Sequence, residues 1–321
     1  MKVWQQAMIA LARSERITNF VQQQPRLQGL SRRFVGGVST EDGIATASDL
    51  RQRGMAASMF FLGEYVKDPV VIEATINELT KIMGLLLPNG IDVNVSVDPT
   101  QLGLMIDEAT CTSNIEMLAM ALQSATGTDA PHHGHDALMI DMEDASVAGY
   151  TLDLHNRLLG EGLPVAVTVQ AYLHRTLEDL EVLAAHGSWV RLVKGAFAEP
   201  GEIAARRRKD IDSLYRRAVA TLMSPAAHEA GCYPAFGTHD DVIIEEILAM
   251  ADRFGWDPNR FEFEMLLGVR PELQQSLADR GYRVRLYIPF GQDWFPYAIR
   301  RVGESPRNLR FAASAVAKSR T

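Results

Sequence analysis

The chain has 321 residues, 47% of them hydrophobic, and its 32 Lys+Arg against 40 Asp+Glu leave a formal net charge of −8. Such a length fits two domains of about 150 residues, or one closed barrel of about 250 with an appendage, and the composition excludes collagen-like, low-complexity and disordered chains. The acidic balance lacks the basic footprint of a phosphate-tracking protein, so nucleic acid is not an expected partner, and two cysteines, Cys111 and Cys232, build neither a disulfide scaffold nor a four-ligand zinc site.

From the N-terminus, MKVWQQAMIALARSERITNFVQ carries a short apolar stretch at Met8–Ala12 that Arg13, Glu15 and Arg16 cut off, with no small-residue cleavage site after it. It reads as an amphipathic helix of a cytoplasmic protein, and no run approaches the ~18 uncharged apolar residues that span a bilayer. Peripheral contact with a membrane surface stays open. Helical, polar-interrupted patterning continues to about residue 55, broken most clearly at FVGGVSTEDG (Phe34–Gly43), so residues 1–55 are expected to form a helical arm and residues 56–321 the main domain.

Short apolar runs bounded by turn residues then recur: Ala57–Leu62, Ile91–Val97, Ala137–Met142, Pro164–Ala171, Trp189–Gly195, Tyr233–His239, Phe261–Leu266 and Arg283–Pro289. They start about 32 residues apart, the length of a strand, a crossover helix and two loops in a parallel sheet. Between them, Val71–Leu87 and Ile211–Met223 place apolar residues at helical spacing. An open doubly wound sheet usually carries a glycine-rich phosphate turn after its first strand; here FLGEYV follows, with no GxGxxG. Eight units with that start predict an α/β fold, a closed (β/α)8 TIM-type barrel, whose catalytic groups sit at the C-terminal strand ends.

Those ends offer Glu64, Asp98, Asp141 with Glu143 and Asp144, Gln170, Lys194, His239, Glu264 and Tyr287. Any one of them could be a structural carboxylate or its partner, since ion-pair networks also occupy such places. So many polar groups at one mouth call for a ligand or for mutual pairing. PHHGH (Pro131–His135) precedes the third strand, at the opposite end of the barrel, and nothing completes a tetrahedral metal set there, so it reads as a surface loop.

The segments QLGL (Gln101–Leu104), MIDMEDAS (Met139–Ser146), VTVQAYL (Val167–Leu173), VRLVKGAF (Val190–Phe197), FGTHD (Phe236–Asp240), FEMLLGVR (Phe263–Arg270) and VRLYIPFGQDWFPYAIRRVGES (Val284–Ser305) occur in this order. Together they resemble the proline dehydrogenase family, above all its short monofunctional bacterial members, over roughly residues 30–315. The resemblance implies FAD as cofactor, with Gln170, Arg191, Val193, Lys194, Gly195, Ala196, Thr238 and His239 at positions that contact it. Arg191 would be the cation that stabilises the reduced ring, while Lys194 suits a pyrophosphate or a structural carboxylate equally. The resemblance also places the substrate carboxylate on Arg300 and Arg301, two adjacent planar forks suited to it, with Glu304 orienting them, Asp141 beside the substrate, and Tyr287 with Leu266 or Leu267 shaping the ring pocket. Helical spacing puts Tyr297, one of the arginines and Glu304 on one face; an exposed basic face is the other reading of that pair.

The chain departs from the family pattern at the end of the second strand, where VSVDPTQLG stands for VSVKLTQLG, so Asp98 replaces a lysine that pairs with the aspartate matching Asp141. Two carboxylates ~4 Å apart repel by roughly 4 kcal/mol at an effective dielectric of 20, so one of them should be hard to ionise unless another cation intervenes. Phe197 and Ala198 follow KGA where the family commonly has Tyr or Trp, Glu264 stands for Gln, and Leu267 for His or Tyr. The reading is oxidation of proline, or a related cyclic secondary amino acid, to the cyclic imine, Δ1-pyrroline-5-carboxylate for proline, with hydride passing to flavin N5 and electrons onward to a quinone. A modified substrate, neutral drift with proline oxidation retained, a redox-inactive binding protein, and a metal-assisted lyase or hydrolase using Asp98, Asp141, Glu143 and His239 remain alternatives.

Overall fold

The computed structural model describes residues 34–127 and 133–304, with side chains to residue 301. Along the chain run α1 (Thr40–Gln52), β1 (Ala56–Phe61), α2 (Pro69–Leu86), β2 (Asn94–Val97), α3 (Glu108–Thr126), β3 (Ala137–Ile140), α4 (Ala148–Gly160), β4 (Val165–Gln170), α5 (Thr176–Ala185), β5 (Trp189–Val193), α6 (Arg208–Leu222), the short α7 (Pro225–Glu229), β6 (Tyr233–Gly237), α8 (Asp241–Phe254), β7 (Glu262–Leu266), α9 (Pro271–Asp279), β8 (Val284–Phe290) and α10 (Trp294–Glu304). The eight strands are parallel and close in chain order, β8 pairing with β1 from Ala56 against Arg285 to Phe61 against Phe290. The barrel and all eight strand positions follow the apolar runs. β2 starts three residues later than its run, because the Asn94 N–H turns back to the Asp92 carbonyl at 2.9 Å.

Local chemistry sets the helix starts. Asp68 caps α2 through the Val70 N–H with Pro69 at the first helical position, and Ser39 with Asp42 closes a capping box on α1. The strand residues facing the helices are apolar, as Val190 and Leu192 on β5 or Val284, Leu286 and Ile288 on β8, and they form one continuous core with the inner helix faces. Alternation turns the intervening residues to the barrel axis, and there the expected branched apolar filling gives way. One apolar cluster inside the barrel is Trp189, Tyr233, Ala137, Met139, Ala166 and Ala235; Arg285 and Glu262 lie against its Trp189 and Tyr233, and the axis also carries Glu264, Arg191, Ser58 and Ser96, all buried.

The described part of the expected arm, from Phe34 through α1, packs on the closing seam. Phe34 and Val35 join Phe60, Leu62, Trp294 and Phe295 in a small apolar cluster, and Gly36 N–H donates to the Pro289 carbonyl at 2.7 Å. The rest of the arm, residues 1–33, lies outside the described residues.

Candidate active site

A cavity of about 660 Å³ opens at the C-terminal ends of the strands. Its lining includes every residue for which the sequence suggested cofactor contact: Gln170, Arg191, Val193, Lys194, Gly195, Ala196, Thr238 and His239. Asp141, Tyr287 and Arg301 also line it. Asp98 and Arg300 sit beside it, electrostatically coupled to each other. The Glu304 side chain, expected to orient the arginines, lies outside the described residues, as do Pro131 and His132 of the histidine run. His133 of that run sits at the far end, with Nε2 3.0 Å from the Gly187 carbonyl and its ring stacked on Tyr233.

The floor is built around Arg191. Its Nε donates to Glu264 Oε2, one Nη to Asp141 Oδ1 at 2.6 Å and Ser96 Oγ at 3.0 Å, and the other to Ser58 Oγ at 3.1 Å. Burial opposes its charge, but Glu264 and Asp141 outweigh that and hold its pKa above the ordinary value. The guanidinium is thus already balanced from within the barrel. Asp141 also accepts from Thr168 Oγ1 at 2.6 Å and from the Tyr287 hydroxyl at 3.0 Å, and the Tyr287 ring lies 5.3 Å from the Arg191 guanidinium. Burial and Asp141 push the Tyr287 phenol well above its usual pKa, so its hydroxyl is a donor.

One wall is cationic. Lys194 Nζ bonds to Asp212 at 2.5 Å and Asp240 at 3.2 Å, and Arg208, at the start of α6, approaches the same two carboxylates at 3.6 and 3.8 Å. Gly195 adopts φ +105°, and a Cβ there would come within 2.2 Å of the Tyr172 ring, so a glycine is required where the strand bends into this wall. His239 Nε2 accepts from the Leu266 N–H at 3.0 Å. Burial, then Arg301 and Arg270, lower His239 to about 4. The imidazole is neutral, and its proton is confined to Nδ1.

Beside the cavity lies an acidic cluster. Glu143 accepts from the Thr100 N–H at 2.8 Å and the Thr100 hydroxyl at 2.5 Å, yet burial raises it to about 7. Burial, with Glu143 and Asp141, holds Asp98 well above the usual carboxylate range. The cation on Asp141 is Arg191. Arg300 is clamped at 2.6 and 3.2 Å by both oxygens of Glu64, while the Arg301 guanidinium lies over the Tyr297 ring at 5.1 Å.

Three contributors escaped the sequence reading. Glu64, a strand-end residue in the sequence, meets Arg300 across 236 positions. Arg208 and Arg270 also line the cavity. The run Arg206-Arg207-Arg208-Lys209, directly ahead of a helix and after the glycine bend, was a signal for the first. Arg270 carries the rare positive φ of +55°, for which the sequence gives no sign.

A closed parallel barrel with a cationic and acidic cavity at its C-terminal mouth defines a (β/α)8 enzyme. A family model described as proline dehydrogenase matches residues 43–314, and the chain belongs to that family. It is 32% identical to proline dehydrogenase of Deinococcus radiodurans over 99% of both chains, and 30% identical to proline dehydrogenase 1 of Bacillus subtilis over 96% of this chain and 97% of that one. Among solved structures it resembles proline utilization A from Bdellovibrio bacteriovorus, inactivated by N-propargylglycine, with a TM-score of 0.73 and 24% identity. The match covers 86% of this chain but 32% of that larger one, and it shows the fold.

Proposed function

We propose that the protein is an FAD-dependent oxidoreductase that converts proline, or a close cyclic secondary amino acid, to the cyclic imine. The observation that carries this reading is the division of one cavity into a Lys194 and Arg208 wall at one end and Arg301, Tyr287 and Leu266 at the other, with the Arg191 to Asp141 pair as floor. Lys194, Arg208 and Thr238 would hold the pyrophosphate end of the cofactor, and Gln170, Arg191 and His239 the ring end. Cations on two elements beside the Gly195 bend suit a diphosphate. When bound, the flavin supplies the two-electron acceptor for hydride.

The protein's own part is positioning and electrostatics. Arg301 and Arg300 bind the substrate carboxylate, which displaces Glu64 from the Arg300 fork. Tyr287, held by Asp141, sets the position of the ring, and Leu266 keeps water from it. Electrons leave to a quinone, so the protein works in the cytoplasm with transient contact at the inner membrane surface; no described helix is long and apolar enough to cross a membrane.

Asp98 favours a second reading. A carboxyl group coupled to Glu143, Asp141 and Glu64 next to the carboxylate-binding arginines suits a proline relative with an added hydrogen-donating or cationic group. Anaerobic mixing of purified holoprotein with proline, hydroxyproline and pipecolate tests both. Fastest loss of visible flavin absorbance with proline supports the first reading, and fastest loss with a substituted ring the second. A colourless protein that binds no added FAD sinks the flavin reading altogether.

A further inference from the structure

Along the barrel axis runs a connected column of buried and half-buried ions. Arg191 bonds Asp141 and Glu264; Glu262, the inward-facing residue one step down β7, bonds Arg285 at 2.8 Å and Arg283 at 3.2 Å; both of those arginines reach Asp92 at the lower end. Glu264 and Glu262 are two residues apart on one strand, so both carboxyls point inward, and they interact side chain to side chain. The column therefore holds three guanidiniums, Arg191, Arg283 and Arg285, and four carboxyls, Asp92, Asp141, Glu262 and Glu264. With every group ionised, one negative charge is left over where Glu262 and Arg285 are fully buried.

The surplus can be located. Both oxygens of Glu262 and both of Asp141 accept hydrogen bonds. Asp92 Oδ2 takes Arg283 and Arg285, and its Oδ1 faces His135 at 3.3 Å near the rim. Glu264 Oε1 is buried with no hydrogen-bond donor in reach. An uncompensated carboxylate oxygen costs several kcal/mol in such a place, and a proton removes that cost.

We propose that Glu262 and Glu264 share one proton, held on Glu264 Oε1, so that the axial column is neutral and Arg191 faces one ionised carboxylate, Asp141, and one neutral acid. The groups that face Glu264 account for its state together. Burial favours the acid; Arg191 from β5 opposes it; Glu262 favours it and Arg285 from β8 opposes it; the balance raises Glu264 to about 8. Tyr287 on β8 meets the same cluster through Asp141 and Arg191. Tyr233 on β6 lies below, near Glu262 and Glu264, with a phenol pushed well above its usual pKa. Ser58 and Ser96, on β1 and β2, contribute uncharged hydroxyls to Arg191.

Glu264 is thereby a positioning residue that acts through Arg191. While it carries the proton, the guanidinium and Asp141 form a neutral pair under the cavity. Loss of that proton to solvent adds a negative charge beneath the bound ring, which disfavours the anionic reduced flavin. This last consequence rests on the flavin reading above; the proton does not.

The test compares the full-length chain with its Glu264→Gln variant, whose amide matches the neutral acid in shape and charge. Without flavin, infrared difference spectra at neutral pH are expected to show that the variant loses one protonated-carboxyl component, over the contributions that Asp98 and Glu143 make in both proteins; no such difference overturns the proposal. A carboxyl whose pKa is raised by folding contributes stability below its unfolded value and loses it as pH rises through the folded value. The wild-type Tm should therefore fall relative to the variant by at least ~2 °C between pH 6 and 9; parallel curves overturn the proposal. With FAD bound, the wild-type flavin midpoint potential should bend downward above about pH 8, and the variant should show no such bend. A constant offset at every pH would mean an ionised Glu264 throughout and sink the idea. If the chain binds no flavin, the flavin reading falls and the first two measurements still decide. Should Glu264→Gln fail to fold, Glu262→Gln replaces it. That change leaves three carboxyls for three arginines, so the same component of the infrared carboxyl band must be lost.

Discussion

Two arginines on the barrel axis, Arg285 and Arg191, answer the same problem in different surroundings. Arg285 is fully buried, with Nε and Nη2 on Glu262 and further bonds to the carbonyls of Ala57 at 2.8 Å and Gly134 at 2.9 Å. Arg191 is almost as buried, but its second carboxylate, Asp141, looks into the cavity. The lower cluster joins strand ends and a loop, with Glu262 and Arg285 sealed from solvent and only Asp92 and Arg283 partly exposed at the rim. The upper one keeps an accessible edge, so its groups can answer to a ligand. A buried ion pair is a tie in the first place and a machine part in the second, and only its position along the axis tells the two apart.

Removing each guanidinium should separate the roles. Arg285→Met removes two of the donors to Glu262, leaves it only the partly exposed Arg283 and the Tyr233 hydroxyl, and should cost about 3 kcal/mol, a fall in Tm of roughly 10 °C by calorimetry. Arg191→Met should lower Tm by less, since Asp141 keeps Thr168 and Tyr287 and can draw water from the cavity, but should reduce kcat/KM for proline by ~100-fold or more. Equal thermal losses in the two variants would erase the distinction.

The mouth and the helix layer can be compared through pH. Burial lowers both His239, at the mouth, and His155, in α4, to about 4. Folding depresses both values, so each histidine stabilises the fold above about 6.5 and loses that contribution as pH falls toward 4, up to roughly 3 kcal/mol each. His239→Gln, which keeps an acceptor for the Leu266 N–H, should flatten about half of this acid loss in urea unfolding at pH 4 to 7; no change would show that His239 is already charged. The smallest effect is expected at the rim. Arg300→Lys loses a bidentate fork and should raise KM for proline about tenfold, with kcat little changed.

The barrel was legible because its strands are apolar on the helix side and spaced evenly, a pattern that survives whatever faces the axis. Many cavity-facing positions were legible as polar strand ends, but what each would hold came only through the resemblance, and nothing local to VRLVKGAF says that Arg191 is held by residues 50 and 73 positions away. Glu264 was visible as a departure, but its partner was not, since pairing across β5 and β7 depends on the barrel's radius and not on sequence spacing. The clamp of Glu64 on Arg300 was hidden for the same reason.

The closing seam has one more consequence, for the order in which the chain is made. β1 pairs only with β2 on one side and with β8 on the other, through six register positions, and Arg300 and Arg301 follow β8 in α10. During synthesis these two arginines emerge after every strand. Until β8 has paired with β1, the first strand keeps an open edge. A chain halted before β8 is therefore prone to join its neighbours through that edge, while one halted between β8 and α10 can close its barrel but still lacks Arg300 and Arg301.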